Sequence, residues 1–284
     1  MKNSSKISNG VNFKKYCPKR DLWSHKSQFG YVLIVAGSQQ YSGSPIFNGI
    51  AALRSGADLI TIIGPKRAMD IAASFLPDVI TYPLDSELKL KHIPKILNLA
   101  KNFNSLIIGC GLNRSKESYQ AIREIIKNIH LPMVIDAEAI RAIAEQKEVI
   151  KNKKIIITPH AEEFRILTSE KLKPEIKDRK EKVKKWSDKL KAATLLKGYI
   201  DVISDGKKVA LNKTGSCFMT KGGFGDTLSG ICGAFLARGV KPFEAAQTAA
   251  FINGRAGELA CKKYGEGVLA SDIFEFIPSL ITIL

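Results

Sequence analysis

Cysteine is scarce in the chain and poorly placed for cross-linking. The five residues, Cys17, Cys110, Cys217, Cys232 and Cys261, are scattered, odd in number and form no Cys-x-x-Cys pair. Neither a disulfide framework nor a thiolate zinc site is expected, and the usage fits a reducing cytoplasm. Long apolar runs are missing as well. No window approaches the roughly 18 uninterrupted apolar residues of a membrane helix, so no membrane partner is expected. The opening stretch MKNSSKISNGVNFKKYCPKR has lysine and serine but no apolar segment of the secretory-signal kind. Residues 1–24 are therefore read as a loose leader or cap, and residues 25–284 as one domain.

Acidic residues are under-represented: 27 stand against 44 Lys and Arg, for a formal net charge of +17. Such a balance suits nucleic acid, an acidic surface or small polyanions. RNP aromatics, a KH loop and finger spacing are all absent, so no nucleic-acid partner is expected. Much of the charge lies in KLKPEIKDRKEKVKKWSDKLKAA, residues 171–193. There Ile176, Val183 and Leu190 form a sparse apolar stripe and acids mix with the lysines, the pattern of a solvated amphipathic helix. The phosphate-binding signatures GxxxxGK[ST] and GxGxxG are missing too.

What is present is alternation. Short apolar runs at 31–37, 58–64, 105–109, 132–136, 154–159 and 193–198 read as strands. Helical patterns occupy 44–57, 67–75, 116–129 and 138–146, with Ser44 suited to an N-cap and Pro45 to the first helical position. IDVISDGKKVALN (200–212) reads as a hairpin turning at Asp205-Gly206. Continuously apolar strands alternating with helices predict a mainly parallel sheet covered on both faces, a three-layer α/β/α domain. Ligands of such sheets bind beyond the carboxyl ends of the strands.

The chemically suggestive stretches fall at those ends: AGSQQYSG (36–43), GCGLN (109–113), DAEAI (136–140), TPHAEE (158–163) and KG (197–198). In KGGFGDTLSGICGAFLARG (221–239), Gly222, Gly223 and Gly225 precede a helical face of Leu228, Ile231, Cys232, Phe235 and Leu236. Unpaired amides and the positive end of the helix dipole favour phosphate there. Asp226 is stabilised as a carboxylate at the same place and is a candidate base on a substrate hydroxyl; it is equally the kind of residue that simply starts helices. His160 is a candidate at a strand end. Glu163 is a candidate oxygen ligand for Mg²⁺, and Lys197 a candidate nucleotide contact or a strand terminus. Asp136 is read either as a site residue or as a helix N-cap.

Taken together, HKSQFGYVLIVAGSQQYSGSPIFNGIAALRSGADLITI, IIGCGLN, VIDAEAI, IIITPHAEEF, LLKG, NKTG and GGFGDTLSGICGAFLARG resemble the ADP/ATP-dependent NAD(P)H-hydrate dehydratase family. That family is part of the ribokinase-like superfamily. The resemblance runs over roughly residues 25–260 in the family's order and spacing. It implies a ribokinase-like fold and repair of hydrated NADH or NADPH. The terminal phosphoryl group of ADP or ATP goes to the C6 hydroxyl, and phosphate is then eliminated. It implies Asp226 as the base and the amides of Gly222, Gly223, Phe224 and Gly225 as the phosphate cradle. Lys197, Gly198, Tyr199, Ile200 and Asp201, with Gly225, would contact the nucleotide. Ser44, Gly109, Gly111, His160 and Asp226 would line the hydrate pocket, with Glu163 near Mg²⁺.

A homotetramer is the assembly expected by resemblance. The short stretch before the first strand implies that the N-terminal epimerase domain of bifunctional members is lacking. The sequence departs from the family's pattern at Phe224 (usually Thr), Ser44 (Ala), Ser27 (Gly), Cys110 (Pro), Ser216 (Asn) and Asp201 (Thr). Phe224 is expected to narrow the site without abolishing activity. The rival reading is a hydroxymethylpyrimidine or hydroxyethylthiazole kinase of the same superfamily. Those kinases typically have asparagine where this chain has His160.

Overall fold

A computed structural model of the chain describes Tyr16 and residues 20–283. Most of the expected leader, together with Cys17, lies outside the described residues. The strands are β1 (Tyr31–Val35), β2 (Leu59–Pro65), β3 (Ile80–Leu84), β4 (Ser105–Ile108), β5 (Met133–Ile135), β6 (Ile155–Ile157), β7 (Ala193–Leu196), β8 (Asp201–Ser204) and β9 (Val209–Asn212). They form one sheet in the order β3-β2-β1-β4-β5-β6-β7-β8-β9. Pairing is parallel as far as β7 and antiparallel for the β8–β9 hairpin.

The helices are α1 (Gly43–Arg54), α2 (Lys66–Phe75), α3 (Ile93–Ala100), α4 (Lys116–Asn128), α5 (Glu138–Ala144), α6 (Ala161–Thr168), α7 (Ile176–Leu190), α8 (Phe224–Ala237), α9 (Pro242–Tyr264) and α10 (Ile277–Ile283). Alternate strand residues point to opposite faces. Val32 and Ile34 accordingly join a core with residues of α1, α2, α8 and α9. Leu33 and Val35 join another with α3, α4 and α5. These are the three layers expected. Among the described residues no helix is long and apolar enough to cross a membrane.

Two expectations are corrected. Strand β3 was not anticipated: its ITYPL run is largely exposed and contains Pro83, which suits an edge strand and lacks the buried signature of the others. Ser44 is not the N-cap of α1; Ser42 is, and Ser44 is the second helical residue. The strand order reverses between β1 and β4. Their outgoing loops diverge there and open a crevice, the usual ligand position in doubly wound sheets.

Candidate active site

The first turn of α8 borders this crevice. Gly223 caps it at φ +97°, a left-handed conformation, and an added Cβ would stand 2.8 Å from Ala270 Cβ. Thr227 N–H is the first amide of the turn to bond backward, to Gly223 O at 2.9 Å. Among the described residues, the amides of 222–225 meet no acceptor in hydrogen-bond geometry, as expected of a helix start. The carbonyls are held instead. Asn48 Nδ2 donates to Asp226 O at 2.7 Å, while Thr227 Oγ1 and Asn253 Nδ2 donate to Phe224 O at 2.8 and 3.3 Å. Side chains of α1 and α9 thus fix the turn from behind and leave its N–H groups facing outward. Phe224 does not narrow the site: its ring is buried in the core.

Asp226, the third residue of α8, is only partly exposed. Burial, and next the charge of Asp136, push its pKa up to about 6, against the opposing influence of Ser44, Cys110 and Lys197. Asp136 is buried at the end of β5. Its Oδ1 accepts from Lys197 Nζ at 3.0 Å and Ala137 N at 2.8 Å, and its Oδ2 from Ser229 Oγ at 2.6 Å. Burial opposes its charge, but Lys197 and Ser229 outweigh that and hold its pKa below the ordinary value. Lys197 Nζ also lies 3.8 Å from Glu163 Oε2. Burial would lower the ammonium's pKa, yet the two carboxylates leave it raised. Glu163 is raised, chiefly by burial. Cys110, fully buried, lies 3.7 Å from Asp136 Oδ2. Its thiol is pushed far up by burial and the two aspartates, so it stays protonated.

The loops after β1, β4 and β6 complete the rim. Gly109 has φ +122°, and a Cβ there would fall 1.9 Å from Asp136 O. At Gly111 it would press on Ser44 and Tyr41, so the β4 loop and α1 are in contact. His160 caps α6: its Nδ1 accepts from the amides of Glu162 and Glu163, and Glu163 Oε2 accepts from His160 N at 2.9 Å. A ring whose Nδ1 accepts carries its proton on Nε2 when neutral, and in this exposed side chain that nitrogen stands 3.4 Å from Glu163 Oε1. Glu163, expected near magnesium, is in this cap and beside Lys197.

Lys197 turns inward to Asp136, leaving Gly198 and Tyr199 exposed. The 197–201 loop is closed by Asp201, whose carboxylate accepts from Gly198 N at 3.0 Å and Asn212 Nδ2 at 2.9 Å. Burial is the main reason its pKa rises to about 6. An added Cβ on Gly225 would stand 3.4 Å from Lys197 Nζ, so loop and helix start adjoin. Sequence reasoning undervalued Asp136 and missed Ser229, Asn48 and Asn253. The legible signal was a polar residue at the end of an all-apolar strand, and polar residues on otherwise apolar helical faces.

A family model described as NAD(P)H-hydrate dehydratase matches residues 32–279. The chain is 41% identical over 261 residues to a bifunctional NAD(P)H-hydrate repair enzyme of Pyrobaculum aerophilum, covering 91% of this chain and 52% of the relative. It is 37% identical over 270 residues to an ADP-dependent (S)-NAD(P)H-hydrate dehydratase of Cenarchaeum symbiosum, covering 94% of each. The chain spans about half the length of the bifunctional relatives it matches. Among solved structures, the ADP/ATP-dependent NAD(P)H-hydrate dehydratase of Bacillus subtilis, co-crystallised with ATP and Mg²⁺, superposes with a TM-score of 0.84. That match covers 96% of both chains at 26% identity. The fold is ribokinase-like, and the chain belongs to the NAD(P)H-hydrate dehydratase family.

Proposed function

We propose that this chain uses ADP or ATP to dehydrate hydrated NADH and NADPH, acting on the (S)-epimer. The observation that carries the reading is Asp226, a carboxylate with raised pKa beside the outward-facing amides of residues 222–225. The C6 hydroxyl oxygen attacks the terminal phosphorus of the nucleotide, and the bond to the leaving phosphate oxygen breaks. Asp226 takes the hydroxyl proton. A base whose pKa lies near working pH is the effective kind. The amides of Gly222, Gly223, Phe224 and Gly225 donate to the transferring phosphoryl oxygens, stabilisation that needs no reorganisation during the step. Cleavage of the C6–O bond then releases phosphate, and loss of the C5 proton restores the ring double bond.

In this reading Ser44, Gly109, Gly111 and His160 receive the hydrate. Lys197 to Asp201 and Gly225 border the nucleotide. Lys197 acts from below, keeping Asp136 ionised, so that Asp136 in turn raises Asp226. Asp136, Glu163 and Asp226 gather around one ammonium, a surplus of carboxylate oxygen that fits Mg²⁺ better than the thiol of Cys110 does. Glu163 would hold it, where it would neutralise phosphate charge, while Asp136 keeps its oxygens on Lys197, Ala137 and Ser229. The same reading includes a homotetramer in the cytoplasm, with no nucleic-acid or membrane partner. The absence of a nucleic-acid partner is supported by the pairing of lysines in and just after α7: Lys182 with Asp178, Lys185 with Glu170, Lys191 with Asp188.

The test is incubation with hydrated NADH and ADP while following dihydronicotinamide absorbance. Recovery of the absorbance, with AMP and phosphate formed in equal amounts, is expected. Phosphorylation of a hydroxymethylpyrimidine or hydroxyethylthiazole with no recovery would assign the kinase reading instead.

A further inference from the structure

The 197–201 loop borders the open end of α8, where its own lysine, whose Nζ would stand 3.4 Å from a Cβ on Gly225, is already committed to buried carboxylates. Lys197 Nζ is engaged by Asp136 and Glu163. The cation that does cover the loop comes from the lysine-rich helix. Arg179, in the first turn of α7, donates from Nη2 to Lys197 O at 3.2 Å. A Cβ on Gly198 would stand 2.5 Å from the same nitrogen, so the guanidinium lies directly on this glycine. Burial lowers the pKa of Arg179, and Asp201 and Asp178 work against that; an arginine remains charged in any case.

Both oxygens of Asp201 are already taken, by Gly198 N and by Asn212 Nδ2. Asp201 draws the guanidinium towards the loop by charge. With one nitrogen used on Lys197 O, the rest of the fork of five N–H donors stays available. Arginine is the residue suited to binding phosphate in this way.

We infer that Arg179 binds the non-transferred phosphate of the nucleotide across Gly198, with Asp201 positioning it. This rests on the proposed use of ADP or ATP. It makes α7 part of the nucleotide site, although its other cations are exposed or paired with acids. It also gives Asp201, which replaces a threonine, a task of its own.

The test is calorimetric titration of the full chain with ADP, AMP and adenosine, without hydrate, for the unaltered protein, Arg179→Met and Arg179→Lys. Arg179→Met should weaken ADP and AMP at least about tenfold, the scale of a lost charge-assisted bond, and leave adenosine unchanged. Arg179→Lys should recover only part of the loss, and the salt dependence of ADP binding should flatten in the Met variant. Equal loss for adenosine would mean that Arg179 merely supports the loop, and unchanged ADP affinity would mean that it does not meet the phosphate. Either result overturns the inference while leaving the proposed function standing. Failure of the unaltered protein to bind ADP at all would overturn both.

Discussion

Lys197 Nζ stands 3.0 Å from Asp136 Oδ1, and this buried pair joins the two halves of the site. It couples the end of β7 to the end of β5, below the first turn of α8. Removing one partner of such a pair leaves an uncompensated charge in protein surroundings, typically costing about 3–5 kcal/mol. Lys197→Met should therefore destabilise the fold by about 3 kcal/mol in urea unfolding. Adding Asp136→Asn to it should restore part of the loss. If the double variant were no more stable than the single one, Asp136 would not be the charge that Lys197 serves.

Asp226→Asn separates chemistry from stability. Loss of a general base is expected to reduce kcat about 10²–10⁴-fold while ADP still binds in calorimetry. The folded pKa of Asp226, about 6, lies above the ordinary value of 3.8. Below the lower value the group is protonated in both states and contributes nothing. As pH rises towards 6 the folded state loses stability, because the folded chain binds the proton more tightly. Asparagine removes this penalty, so the variant should gain about 1–2 kcal/mol near pH 7.5, less than the full shift implies because the carboxyl keeps some solvent contact. A variant that is inactive and also less stable would point to misfolding.

The same value sets the pH profile. If Asp226 is the base proposed, its ionised form does the work, and kcat at saturating nucleotide should fall as pH drops through about 6. Asp201 titrates in the same region, but it closes the 197–201 loop, proposed to border the nucleotide. Its protonation should appear in the KM for ADP and leave kcat alone. Asp201→Asn should flatten the KM profile only; a kcat profile flattened with it would mean that the two carboxylates act as one unit.

Ser27 occupies a left-handed position, φ 90°, the region that favours glycine. A side chain there is strained by about 1–3 kcal/mol. Ser27→Gly should raise stability by about 1 kcal/mol, because both Ser27 N and Phe29 N bond to Asp58 Oδ2 through backbone donors that glycine retains. An unchanged or lower melting temperature would show that the serine side chain contributes more than its strain costs.

The fold was legible where burial is two-sided. The runs that became β1, β2, β4, β5, β6 and β7 are buried almost throughout, and burial on both faces is what makes a strand continuously apolar. Strand β3 lacks that signature because it is an edge. Within the site, the glycine-rich turn and Asp226 could be read from local spacing, since a helix start is local. The Asp136–Lys197–Glu163 cluster could not, because its members come from different strand ends and meet only once the sheet register is set. The direction of a side chain was equally hidden. Phe224 looked like an obstruction and is buried in the core, while the ion pair of Lys197 with Asp136 had no signal in the local sequence.

The charge of α7 gives a last test. Lys177, Lys180 and Lys184 are exposed, and solvated cations of this kind are screened over about 8–10 Å at ordinary salt. Replacing all three with glutamine should keep kcat and the ADP affinity within about twofold, with stability changed by no more than about 0.5 kcal/mol per site. Arg179, on the same helix, is half-buried against Lys197 O and Gly198, and its replacement should register in ADP binding alone. A large loss of kcat in the triple lysine variant would mean that the helix acts through its whole field and not through one guanidinium. Retention of activity there, beside weakened ADP binding in Arg179→Met, would assign the contribution of α7 to a single contact.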